Sequence, residues 1–131
     1  MKVVINTCYG GFGLSHEATL RYYGLKGIKV YPFKDRFDLW TYATVPKDEY
    51  DALQKESEET GEYKKLNSVD LSLYDVERND PALIQTVEEM ATAANSQFSE
   101  LKIVDIPDDI SWVIKEYDGM EHIAESHRTW Y

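Results

Sequence analysis

The sequence predicts a single α/β to α+β domain spanning residues 1–131: a mixed sheet of about five or six strands with two main helices. It opens as strand, glycine loop, helix and strand, and it ends in a β-hairpin. Three observations predict this class. Apolar Val3-Val4-Ile5 gives way at Cys8-Tyr9-Gly10-Gly11-Phe12-Gly13 to an apolar spacing of three and four residues. Asp80-Pro81 opens a second run with that spacing, and Asp118-Gly119 separates two β-rich runs.

Val3, Val4 and Ile5 are β-branched and contiguous, as in a strand covered on both faces. Leu14, Ala18, Tyr22 and Leu25 form one stripe of a helix for which Ser15 is a good N-cap. Gly27 suits the left-handed residue after that helix, and Ile28 to Tyr31 restarts as a strand limited by Pro32. A connection of this length suits a right-handed crossover between parallel strands. Phe37 to Val45 alternates and reads as a further strand.

Pro46 to Thr60 has too few apolar positions, Tyr50 and Leu53, for more than a peripheral helix, which Gly61 would end. Seven carboxylates between Asp48 and Glu62, set against Lys47 and Lys55, make it an acidic face. Ser68 to Glu77 alternates Val69, Leu71 and Leu73 with polar residues, as a half-buried strand does. Asp80 as N-cap and Pro81 as first helical residue start the strongest helix, whose apolar face runs from Leu83 through Val87 and Ala94 to Phe98. Leu101 to Ile106 is a strand. Trp112 to Tyr117 and Met120 to Ala124 form a hairpin around a type I′ turn at Asp118-Gly119, and Ser126 to Tyr131 is a tail.

The chain has one cysteine, which excludes an internal disulfide and any multi-cysteine metal site. It lacks an apolar run of membrane-spanning length, and Met1-Lys2 leads directly into a strand with no signal peptide, so a cytoplasmic location is expected and no membrane partner. A net charge of −10 argues against general nucleic-acid binding. That charge is uneven. Residues 1–40 hold six Lys/Arg against three Asp/Glu, so the glycine loop lies in the basic third of an acidic chain.

Glycines at 10, 11 and 13 allow positive φ and close approach to bare amides, and a helix N-terminus favours an anion, most often a phosphate. The loop lacks the third glycine of G-x-G-x-x-G and the Lys-Ser/Thr of the Walker form. The ligand-binding set expected is Tyr9, Gly10, Gly11, Phe12, Gly13 and Ser15, with Arg78 or Arg128 holding phosphate and an aromatic such as Tyr9, Phe12 or Trp130 stacking on a base. The alternative is a strand-to-helix turn whose glycines serve packing alone. No catalytic residue, metal ligand or cofactor is assigned. Cys8 with His16 lacks an orienting third group, and His122 and His127 with Glu121 and Glu125 match no metal-binding spacing.

INTCYGGFGLS, RNDPALIQTVEEM and LKIVDIPDDISWVIKEYDGMEHIAESHRTW resemble a family of small uncharacterised proteins of tailed bacteriophages and prophages. The resemblance implies a setting in the host cytoplasm and a role in disarming host defence, and it transfers no site residue. Two functions are therefore expected to compete. One is a non-enzymatic binder that sequesters a small phosphorylated ligand such as a nucleotide immune signal. The other is an acidic inhibitor occupying a basic or nucleic-acid-binding site on a host defence protein. Exposed aromatics suit a homodimer or larger assembly.

Overall fold

The computed structural model describes residues 1–126, and the chain has the α+β architecture and terminal hairpin that its sequence predicts. It divides into two compact units. One joins Met1–Tyr22 to the chain from Glu77 onward, and the other is Tyr23–Val76.

In the first unit, β1 (Lys2–Asn6) pairs antiparallel with β5 (Leu101–Asp105), with Val3 opposite Val104 and Ile5 opposite Lys102. Val3 and Val4 are wholly buried, as continuous β-branched sequence predicts, and each such burial stabilises by about 1.5–3 kcal/mol. Helix α1 (His16–Leu25) begins at the expected cap: the Ser15 hydroxyl accepts from the Ala18 amide at 3.2 Å. The helix runs on into the Tyr23–Val76 unit and ends as expected at Gly27, φ +73°, where the Ile28 amide donates to the Tyr23 carbonyl at 3.0 Å.

The later helix of this unit starts where Asp80-Pro81 places it. The Asp80 carboxylate accepts from the Ala82 amide at 2.9 Å, and its other oxygen takes the Tyr22 hydroxyl at 2.9 Å. This helix, Pro81–Met90, buries Leu83, Ile84 and Val87 against β1 and β5. It stops short of the predicted Phe98. Ala91 turns to φ +49°, a 3₁₀ turn follows over Ala91–Ala94, and Phe98 is left exposed. Strands Trp112–Tyr117 and Met120–Glu125 form the closing hairpin, with Asp118 at φ +48° and Gly119 at φ +85°, the two positive values a type I′ turn requires.

In the second unit, β2 (Tyr31–Lys34), β3 (Trp40–Ala43) and β4 (Asp70–Leu71) form an antiparallel sheet. Pro32 lies within edge strand β2 rather than limiting it, since an edge strand has one side on which a missing N–H costs nothing. The predicted strand over Phe37 to Val45 is shortened because Asp35 makes a turn: its carboxylate accepts from the amides of Phe37 at 2.8 Å and Leu39 at 3.0 Å. Helix α2 (Lys47–Thr60) is peripheral, burying only Ser57, and Gly61 closes it at φ +75°.

The Ser68–Glu77 region is not one strand. A short helix, α3 (Lys64–Val69), buries Leu66 and runs into two-residue β4. Beyond β4 the Ser72 hydroxyl captures the Tyr74 amide at 3.1 Å and the chain turns. The β-structure thus comprises small antiparallel sheets. The expected parallel crossover is absent among the described residues: β1 pairs with β5, and β2 with β3. No helix among the described residues is long and apolar enough to cross a membrane.

Candidate functional site

The glycine loop follows directly from β1, and Asn6 at the end of that strand fixes it. Asn6 is wholly buried with every hydrogen-bonding position of its side chain occupied. Its Nδ2 donates to the carbonyls of Cys8 at 2.7 Å and Gly119 at 2.8 Å, while Oδ1 accepts from the amides of Glu100 at 2.9 Å and Cys8 at 3.3 Å. One side chain therefore ties the loop to the hairpin turn and to the start of β5. Asn6 was not among the expected residues. Its signal is a polar residue closing a buried apolar run just before the glycines.

The loop is gripped from two sides. The Gly10 amide donates to the Asp118 carbonyl at 3.1 Å, and a Cβ on Gly119 would stand 2.7 Å from the Gly11 Cα. Opposite, a Cβ on Gly10, at φ +128°, would meet the Phe98 carbonyl oxygen at 2.7 Å. Ser99 Oγ donates to the Gly13 carbonyl at 2.8 Å, and a Cβ on Gly13 would approach Ser96 Oγ to 3.1 Å. Packing thus accounts for Gly10, Gly13 and Gly119. Gly11, at φ +100°, has open space where a side chain would project. Among the described residues none accepts a hydrogen bond from the amides of Gly11, Phe12 or Gly13.

Arg78 lies beside this loop but its charge is engaged. Its Nη1 and Nη2 donate to Oε1 and Oε2 of Glu121 at 2.5 and 2.8 Å, and Nη1 also reaches the Val4 carbonyl at 3.4 Å. The side chains are only 17% and 6% exposed. The Phe12 ring covers the guanidinium, with Cζ 3.7 Å from the ring centroid, and Glu121 Oε1 takes the Asn6 amide at 2.8 Å. The fork that suited a phosphate is occupied by a carboxylate 43 residues away in sequence, a partner that spacing does not reveal.

Of the remaining expected residues, Ser15 is a structural cap: besides capping α1, its hydroxyl donates to the Ala93 carbonyl at 2.7 Å. Tyr9 is 59% exposed at the start of the loop. Arg128 and Trp130, with His127, lie outside the described residues. The structure brings together Tyr9 to Gly13 and Arg78, with the amides of Gly11 to Gly13 as the donors left for a ligand. Among the described residues no three His, Cys, Asp or Glu side chains cluster to hold a metal ion. No family model, curated protein or solved structure matches the chain.

Proposed function

We propose that the protein is a non-enzymatic binder of a small phosphorylated ligand, such as a nucleotide, taken up by the glycine loop. The observation that carries this reading is the run of amides at Gly11, Phe12 and Gly13 with no acceptor among the described residues, just ahead of the N-terminus of α1. Successive free amides in a loop bent by Gly10 and Gly11, both at positive φ, can face a common anion, and the helix adds partial positive charge. The grip of Asn6, Asp118 and Ser99 supports the reading by holding the loop in place before a ligand arrives. The resemblance to phage accessory proteins supports a setting in the host cytoplasm, where sequestering a nucleotide immune signal would disarm a defence system. Exposed Leu39, Tyr63 and Tyr74 favour a homodimer or larger.

The test is native mass spectrometry after exposure to a bacterial nucleotide extract, followed by amide NMR with the released compound. Retention of an unmodified phosphorylated compound that shifts the Gly11, Phe12 and Gly13 amides supports the reading. A ligand-free spectrum, or a ligand that leaves those amides unmoved, overturns it.

A second reading rests on α2, where Asp48, Glu49, Asp51, Glu56, Glu58 and Glu59 are all exposed, as is Glu62 beyond its end. Lysines pair with Asp51 and Glu56. Such a surface suits an inhibitor of a basic, nucleic-acid-binding site. Capture of a defence protein that is lost on reversing these charges, with nucleotide retention unchanged, would favour this reading over the first.

A further inference from the structure

The Tyr23–Val76 unit contains a cleft of about 580 Å³ between the β2–β3 hairpin and α2, within the size range of small-molecule sites. Its lining is more basic than the chain as a whole. Lys34, Arg36, Lys47 and Lys55 face three carboxylates, Asp35, Asp51 and Glu58, giving a net +1 in a protein of net −10. Two of these carboxylates are already engaged: Asp35 by the amides of its own turn and Asp51 by Lys47 at 2.6 Å. Lys34 pairs with Asp38 at 3.3 Å. Arg36 and Lys55 have no carboxylate partner among the described residues.

Aromatic rings accompany those cations. Phe33 and Tyr50 meet edge to face at 5.0 Å, forming an apolar wall beneath Lys47, whose Nζ lies 5.9 Å from the Phe33 ring centre. Phe37 is 68% exposed, with the Arg36 guanidinium 4.9 Å from its ring centre. The exposed Phe37 ring and a guanidinium with no carboxylate partner together offer a planar anionic ligand a stacking surface and a charged donor.

We infer that this cleft binds a small aromatic phosphate of the nucleoside monophosphate type, with the ring system against Phe33, Tyr50 and Phe37 and the phosphate on Arg36 and Lys55. It is a site separate from the glycine loop, which belongs to the other unit. Neither half of such a ligand suffices alone: a nucleoside lacks the anion, and inorganic phosphate lacks the ring.

The experiment is an NMR titration of the whole chain with AMP, using adenosine and inorganic phosphate as comparison ligands, on the parent and on Arg36→Gln/Lys55→Gln. Both substituted side chains are exposed or solvent-facing, so an unchanged spectrum outside the cleft confirms the fold. The expected result is saturable shifts at Phe33, Arg36 and Tyr50 with AMP, at least about tenfold tighter than with adenosine or phosphate, and weakened at least about tenfold in the double variant. Shifts confined to Gly11–Gly13, equal affinity for the three compounds, an undiminished affinity in the variant, or no saturation would each overturn the assignment. The glycine amides and the cleft residues report separately, so failure here leaves the loop reading standing and failure there leaves this one.

Discussion

Gly119 and Gly11, in segments more than a hundred residues apart, approach so closely that a Cβ on Gly119 would sit 2.7 Å from the Gly11 Cα. The hairpin turn is therefore part of the wall of the glycine loop. Gly119→Ala meets both this contact and an unfavourable φ of +85°, and should cost about 2–4 kcal/mol in urea unfolding. Asp118→Asn, equally suited to its turn position, should stay within about 0.5 kcal/mol of the parent. Equal stabilities for the two variants would show that the contact is readily relaxed.

Arg78 and Glu121 should be strongly coupled. Removing one member of a buried pair strands the other, so Arg78→Met should destabilise by about 3–5 kcal/mol. Glu121→Gln keeps an acceptor for the Asn6 amide and isolates the charge. A double-mutant cycle with these two changes is expected to give about 2 kcal/mol or more of coupling, and additivity within about 0.5 kcal/mol would refute it.

Asn6→Leu keeps the number and branching of the side-chain heavy atoms, adds bulk, and deletes four side-chain hydrogen bonds, leaving the amides of Cys8 and Glu100 and the carbonyls of Cys8 and Gly119 without it. A loss of about 3 kcal/mol or more is expected. Hydrogen exchange should quicken at Cys8, Gly10 and Glu100 relative to Val3 and Val4. A uniform change across the chain would mean that Asn6 supports the unit generally and does not position the loop.

Burial raises the carboxyl pKa of Asp70 above its usual 3.8, partly opposed by the hydrogen bond from the Tyr50 hydroxyl. A raised folded-state value means that protonated Asp70 favours the fold. This contribution is complete below the unfolded pKa and is lost as pH rises through the folded one. Asp70→Asn keeps an acceptor for Tyr50 and removes the titration. Its stability relative to the parent should increase as pH rises from below the usual 3.8 through the raised folded-state value, as followed by thermal unfolding, and a constant difference would contradict the assignment.

The elements legible in the sequence are those whose own side chains set their backbone. Ser15 and Asp80 cap helices, Gly27 and Gly61 end them, and Asp118-Gly119 turns the hairpin. What sequence reasoning missed depends on partners distant along the chain. β1 was expected to run parallel to β2 because the length of their connection suits a right-handed crossover, yet its partner is antiparallel β5. Alternation over Ser68–Glu77 cannot show that Ser72 will bind a neighbouring amide, and nothing local to Ala91 announces its positive φ. At the candidate site the glycines were visible, but three of the four close-packed or ligand-facing roles depend on where residues 96–99 and 118–119 arrive. Arg78 stood out by its chemistry, while its partner Glu121 was weighed beside His122, His127 and Glu125 as a metal-binding spacing.

The pairing of β1 with β5 also sets a timetable for synthesis. Val3, Val4 and Ile5 leave the ribosome about a hundred residues ahead of Leu101–Asp105, a delay of roughly 5–20 s at ordinary elongation rates. The intervening Tyr23–Val76 unit is contiguous and can be completed within that interval. The β-branched Val3, Val4 and Ile5 are thus without their partner strand, and open to chaperones and neighbouring nascent chains, throughout that interval. Slowed elongation should therefore reduce the soluble yield of this protein more than that of one whose first strand pairs locally.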